Sequence, residues 1–88
     1  MALVFIPGMM QNLTGGVSQL QITGRTVREV INRLEERFPG IKERLLQDGD
    51  VRPDIAVAVD GDIIFDLSDQ VSEQSEVHFI PPISGGLE

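Results

Sequence analysis

Apolar residues in this chain fall into five short runs and one stripe with helical spacing. Leu3, Val4, Phe5 and Ile6 form an unbroken run stopped by Pro7-Gly8, which predicts a first strand. Leu20 and Ile22 alternate with Gln19, Gln21 and Thr23, the period-two pattern of a half-buried strand with one wet face. A connection through residues 9–14 lets these two strands pair as a hairpin, with Gly15-Gly16 as a turn ahead of the second.

The helix comes next. Thr26 is placed to cap it, with Glu29 three residues on in a capping-box pattern. Val27, Val30, Ile31, Leu34 and Phe38 recur at the spacing of one helix face, and Pro39-Gly40 ends the element. Residues 41–46 predict one further helical turn, closed by Asp48-Gly49. Across residues 54–59, Ile55, Val57 and Val59 alternate with Ala56 and Ala58 as a third strand. Asp60-Gly61 signals a tight hairpin turn, and residues 62–65 return as a short fourth strand. A polar loop over residues 66–75 leads to a last strand, Glu76, Val77, His78, Phe79 and Ile80, which Pro81-Pro82 stops. The order strand, strand, helix, strand, short strand, strand is α+β. With the last strand parallel to the first and the opening pair antiparallel, a mixed sheet grips one main helix. That arrangement is the β-grasp, or ubiquitin-like, fold.

Eighty-eight residues predict one globular unit, over residues 1–82, and a C-terminal tail over residues 83–88. A chain this short leaves little room for an enclosed active site, so it favours a carrier, subunit or binding module over a free-standing enzyme. Fourteen acidic residues against seven basic ones give a net charge of −7, and the basic residues are dispersed. Nucleic acid is thereby excluded as a partner, because phosphate contacts need clustered Lys and Arg. The acidity reads either as plain solubility or as steering towards a basic partner. With no cysteine, disulfides, thiolate catalysis and cysteine-ligated zinc are excluded. The apolar start is six residues long and has no basic leader, too short for a signal core or a membrane span. This predicts a cytoplasmic location and no membrane partner.

The chemistry concentrates at the end of the chain. Pro81-Pro82 stiffens the exit from the last strand, and Gly85-Gly86 follows with no side chain to obstruct a narrow channel. A carboxylate is a poor electrophile, but joined to AMP it becomes a mixed anhydride open to sulfur or amine nucleophiles. An unhindered glycine carbonyl suits that attack. Elsewhere, Asp60-Gly61-Asp62 lacks the ligand pattern of a calcium loop and reads as turn chemistry, so no metal site is expected. His78, the sole histidine, alternates to the face opposite Val77 and Phe79 and has no companion ligands in the sequence. Lys42, the sole lysine, is the one residue through which the chain could be linked to copies of itself.

Several stretches resemble the MoaD/ThiS-like ubiquitin-like sulfur carriers, which include molybdopterin-synthase small subunits and the thiamine and cysteine-biosynthesis carriers. They are Leu13-Thr14-Gly15-Gly16, Thr26-Val27-Arg28-Glu29-Val30, Phe38-Pro39-Gly40-Ile41, Val57-Ala58-Val59-Asp60-Gly61-Asp62 and Ile80-Pro81-Pro82-Ile83-Ser84-Gly85-Gly86. The resemblance implies a co-substrate rather than an enzyme, with no bound cofactor. A ubiquitin-activating-type enzyme would use ATP to adenylate the carboxylate of Gly86, with Gly85 supporting access. A sulfur donor would then make a thiocarboxylate for delivery to a sulfur-accepting synthase, in cofactor or cysteine biosynthesis. The apolar docking patch of such carriers maps to Phe65, His78 and Ile80. Relatives end at Gly-Gly, whereas Gly86 here is bonded to Leu87. Leu87-Glu88 is then either a cloning remnant or a segment that a metalloprotease trims. Three other readings stay open: a molybdopterin synthase small subunit, a modifier conjugated to target lysines, and an interaction module whose tail does nothing.

Overall fold

The computed structural model describes residues 1–81. Strand β1 (Ala2–Phe5) pairs antiparallel with β2 (Gln19–Ile22), from Ala2 opposite Ile22 to Phe5 opposite Gln19. Ala2 and Val4 point into the core, while Leu3 and Phe5 are half-buried on the other face. The strand runs one residue ahead of the expected 3–6. Ile6 still donates to Ser18 O at 2.9 Å, but Pro7 ends the extended run. The connection is more ordered than a plain loop: a 3₁₀ turn, Gly8–Met10, buries Met10. The Thr14 hydroxyl, also buried, donates to Val17 O at 2.9 Å, and Gly15 and Gly16 follow at φ 68° and 92°. Leu13-Thr14-Gly15-Gly16 is thus a turn that closes the first hairpin.

Helix α1 (Val27–Arg37) buries Val27, Val30, Ile31 and Leu34, while Phe38 sits half-buried at its C-cap rather than within it. Thr26 accepts from the Glu29 N–H at 3.2 Å as expected of an N-cap. The return half of the capping box is shifted, since Glu29 Oε1 accepts from Arg25 N at 2.8 Å. The remaining free donors of the first turn are taken by the loop over residues 66–75. Val27 N donates to Asp69 O at 3.1 Å and Arg28 N to Leu67 O at 2.9 Å, while Val71 N donates back to Arg25 O at 2.9 Å. That loop, expected to be merely polar, buries Leu67 and Val71 in the core and straps the helix start to the sheet. Gly24 packs closely on the helix, since a Cβ there would lie 3.0 Å from Val30 Cγ2 and 3.1 Å from Val30 N, tight enough that Val30 would have to shift by a few tenths of an ångström.

Gly40, at φ 103°, turns the chain into α2 (Ile41–Leu45), whose Ile41 and Leu45 are buried. The Glu35 carboxylate accepts from Lys42 N at 2.9 Å and Gly40 N at 3.1 Å, joining the two helices. Asp48-Gly49, expected only to close this turn, forms the bend of a small hairpin between β3 (Leu46–Gln47) and β4 (Asp50–Val51). Strands of two residues carry no readable period, so the Asp48-Gly49 dipeptide, at φ 55° and 86°, is the one sequence signal of this hairpin.

Strand β5 (Ala56–Val59) joins β6 (Asp62–Ile64) through Asp60 and Gly61, both at positive φ (53° and 89°), as a type I′ turn requires. Both strands are shorter than the expected 54–59 and 62–65. Ile55 N is turned back to Arg52 O at 3.0 Å, and Phe65 leaves the ladder. Strand β7 (Glu76–Ile80) lies between β1, parallel, and β5, antiparallel, so the sheet order is β2-β1-β7-β5-β6. Val4, Val57, Val77 and Phe79 meet the α1 stripe in one core. This mixed sheet on one main helix is a β-grasp fold. The expected boundary after Pro82 lies outside the described residues.

Two outcomes test this packing. Leu34→Ala, in the middle of the helix stripe, should cost about 2–5 kcal/mol in urea unfolding. The Lys42 N–H first, and the Gly40 N–H next, hold the Glu35 carboxyl below its ordinary range. Its stabilisation is then full above the ordinary glutamate pKa and disappears as pH falls through the lowered one. The stability gap between the wild type and Glu35→Gln should therefore narrow on the acid side only. A gap constant from neutral pH into strong acid would contradict this.

Candidate functional site

Strand register sets which side chains share the sheet face that α1 leaves open. One cross-strand row reads Gln19, Phe5, His78, Ala58 and Ile63, from β2 through β1, β7 and β5 to β6. Towards the end of β7, Ile80 lies opposite Ala56. The His78 ring lies flat on Phe5, with centroids 4.2 Å apart and 7° between planes. That stack turns the imidazole into part of an apolar surface. Phe65, just past β6, is 91% exposed, and Ile63 and Ile80 are 45% and 43% exposed. Isolated exposed apolar residues are ordinary; a set gathered on β6, its flank and β7, with only the alanines of β5 between them, marks a contact surface.

The structure places all three sequence-nominated docking residues, Phe65, His78 and Ile80, at this open side, with His78 and Ile80 two residues apart on one face of β7. Sequence reasoning missed Phe5, Ala58 and Ile63, which complete the row. In the sequence Phe5 is one more apolar residue of a short run. Its outward direction becomes legible only once Val4 is known to face Val77. Gly85 and Gly86, nominated for chemistry, lie outside the described residues, as do Leu87 and Glu88.

The polar groups near this face are committed to structure. Asp60 Oδ2 accepts from Ser75 Oγ at 3.0 Å and Asp60 Oδ1 from Glu76 N at 2.9 Å, locking the β5–β6 turn to the start of β7. Asp66 Oδ1 accepts from Ser68 N at 2.9 Å and from its hydroxyl at 2.8 Å, contacts that hold its carboxyl below the usual range. Glu76 Oε1 sits 3.7 Å from His78 Nε2, an exposed contact of little energetic weight. Among the described residues, no three metal-ligating side chains cluster, and no helix is long and apolar enough to cross a membrane.

Comparison with known proteins agrees with this geometry. The model of the ThiS family matches residues 4–86. A molybdopterin synthase sulfur carrier subunit from Pyrenophora tritici-repentis is 34% identical over 73 residues, 83% of this chain and 76% of that protein. Small archaeal modifier protein 3 from Haloferax volcanii is 31% identical over 64 residues, 69% of this chain and 70% of its own length. Among solved structures, a chain in the crystal structure of the Amycolatopsis orientalis BexX/CysO complex superposes with a TM-score of 0.94 at 29% identity. That match covers 98% of this chain and all of the other.

The open face and the core face should respond oppositely to truncation. Phe65→Ala should change unfolding stability by no more than about 0.5 kcal/mol. Val77→Ala, one layer inward on β7, should cost roughly 1–3 kcal/mol. Equal costs in chemical denaturation would mean that Phe65 is packed and not presented.

Proposed function

Because the chain belongs to the ThiS family of small sulfur carriers and ubiquitin-like modifiers, we propose that it carries sulfur on the carboxyl group of Gly86. In this reading an adenylating enzyme of the ubiquitin-activating type docks on the open sheet face. The Gly86 carboxylate attacks the α-phosphate of ATP, pyrophosphate leaves, and an acyl-adenylate remains. A sulfur donor then attacks the acyl carbon and AMP departs, leaving a thiocarboxylate. The thiocarboxylate sulfur attacks the acceptor in a sulfur-accepting synthase, and water then hydrolyses the acyl–sulfur bond, leaving the sulfur on the acceptor and restoring the carboxylate. The carrier supplies no catalytic group: it supplies the electrophile, its access and its address. Gly85 and Gly86 leave the acyl carbon unshielded by any neighbouring Cβ.

The observation that carries this reading is the reach of the family match to residue 86, which takes in the Gly-Gly pair itself. The fold supports it in a second way, since β7 runs through the centre of the sheet and points the chain out beside the apolar face. Gly86 follows Ile80 by six residues, so a docked partner must hold its nucleotide within about 20 Å of the end of β7. Activation requires a free Gly86 carboxylate, so removal of Leu87-Glu88, by a metalloprotease where the pair is native, precedes loading. An ATP-dependent cycle of this kind belongs in the cytoplasm.

The likeness to small archaeal modifier protein 3 favours one second reading, conjugation of Gly86 to lysines of target proteins. Mass spectrometry separates the two. The Gly86-ending chain, incubated with its activating enzyme, ATP and a sulfide source, should gain the mass of one sulfur-for-oxygen exchange at the C-terminus. Gly86→Ala should slow that loading by at least about a hundredfold, because a misplaced, hindered carbonyl loses its attack geometry. Isopeptide-linked adducts without any thiocarboxylate would replace the carrier reading with the modifier one. Transfer of the sulfur to a pterin precursor by a stably co-purifying large subunit would make the chain a molybdopterin synthase small subunit.

A further inference from the structure

The backbone ladder leaves one side of the sheet with hydrogen-bonding groups unspent. Ile6 N donates to Ser18 O at 2.9 Å, whereas Leu3 N donates away from β2, to Ser75 O at 2.9 Å. Antiparallel strands alternate bonded and open pairs, so Val4–Leu20 and Ala2–Ile22 are bonded pairs, and Phe5–Gln19 and Leu3–Gln21 are open ones. The N–H and C=O groups of Gln19 and Gln21 therefore point away from β1, and β2 is the end strand on that side. None of these groups has a partner among the described residues. The edge also lacks the usual guards: Gln19-Leu20-Gln21-Ile22 contains no charge and no proline, and its register with β1 runs without a bulge. The opposite edge strand, β6, begins at Asp62 and has Asp66 just past it. Beside β2 lies a cleft of about 190 Å³, whose walls include Gln21, Ile22, Arg33, Glu36 and Arg37. Arg33 and Arg37 stand about one turn apart on α1, both exposed, and neither makes an ion pair among the described residues. Glu36 offsets one of these two charges, which leaves the cleft wall on α1 with an excess of one cation.

We propose that the free edge of β2 accepts an extended segment of a partner protein as a further strand, one carboxylate of which is held in the cleft by Arg33 and Arg37. An added strand satisfies the outward groups of Gln19 and Gln21 in its own ladder. Its side chains opposite Leu20 and Ile22 share their face of the sheet, the one turned towards α1. The residue opposite half-buried Leu20 thus meets apolar surface, and the one opposite Ile22 is aimed at the cleft. There a carboxylate accepts charge-assisted bonds from two unpaired guanidinium groups. A basic segment would set like charges together. A second copy of this chain, paired edge to edge, would bring its own α1 to the same side of the seam, and Arg33 and Arg37 with it. An acidic segment is the occupant that suits the cleft. Strand β1 separates this edge from β7, so a segment bound here leaves the open face and the exit of β7 free. Binding at this edge does not depend on the chemistry at Gly86.

The probe is a synthetic peptide of about eight residues, with threonine at alternate positions and valines, then glutamates, between them, titrated into the isotope-labelled full chain. Before any peptide is added, the amide hydrogens of Gln19 and Gln21 should exchange at least about tenfold faster than those of Leu20 and Ile22. The peptide should shift amides of β2 and slow exchange at Gln19 and Gln21 by at least about tenfold. N-methylation of the peptide amides that enter the ladder should weaken binding by at least about tenfold. So should Gln21→Pro, which removes an outward N–H and no bond within the sheet. The double variant R33Q/R37Q should weaken the glutamate peptide about fivefold and leave a glutamine twin unchanged. Undiminished binding of the N-methylated peptide, equal binding of a lysine twin, shifts confined to the open face, or binding by no peptide would overturn the proposal. Self-association that protects the same amides would also overturn it, because a second copy would then occupy the edge.

Discussion

Strand β7 is hydrogen-bonded along both edges, to β1 on one side and β5 on the other, and the remaining architecture follows from that placement. A strand in the middle of a sheet has no free ladder groups, so it cannot slip without breaking bonds on two sides at once. Its alternation is then fixed: Val77 and Phe79 enter the core, and His78 and Ile80 face out. A one-residue slip would bury His78 and expose both core residues, which makes register the most strongly specified property of the strand. The direction and position at which the chain leaves the sheet are set by the same bonds.

Holding β7 in the centre requires the chain to cross from the edge strand β6 without loosening. The connection over residues 66–75 does this by using the helix as its support. The N–H groups of Val27 and Arg28, which any helix leaves unpaired, are satisfied by Asp69 O and Leu67 O. Leu67 and Val71 then enter the core beneath it. At the far end of the same crossing, Asp60 ties the β5–β6 turn to Ser75 and Glu76. The helix start, the crossing loop and the beginning of β7 therefore form one hydrogen-bonded unit, with the apolar face on its opposite side.

Much of this was legible from residue order. The α1 stripe, the Thr26 cap, the Asp60-Gly61 turn and β7 each rest on a local signal: a period, a capping oxygen or a residue tolerant of positive φ. What escaped the sequence depends on partners far along the chain. Leu67 and Val71 sit singly in polar surroundings, so nothing local marks them as core. The β3–β4 hairpin is too short to show a period. Phe5, Ala58 and Ile63 join the open face only through cross-strand register, which sequence leaves open until strands are paired. Alternation alone extends the third strand back to residues 54 and 55, yet a backbone turn at Arg52 takes precedence. Gly86 is the reverse case: its role is proposed from sequence chemistry and family membership, and it lies beyond the described residues.

In the proposed function the sheet face chooses the partner, and the short run of chain after β7 sets where the acyl carbon arrives. The most direct measurement is the rate of adenylation of a Gly86-ending chain lengthened by two residues between Ile83 and Ser84, which moves the carboxylate by up to about 7 Å. The account predicts that the lengthened chain binds its activating enzyme as before while the adenylation rate falls by roughly a hundredfold or more. An unchanged rate would mean that the folded face does not position the carboxylate, and the account would be wrong.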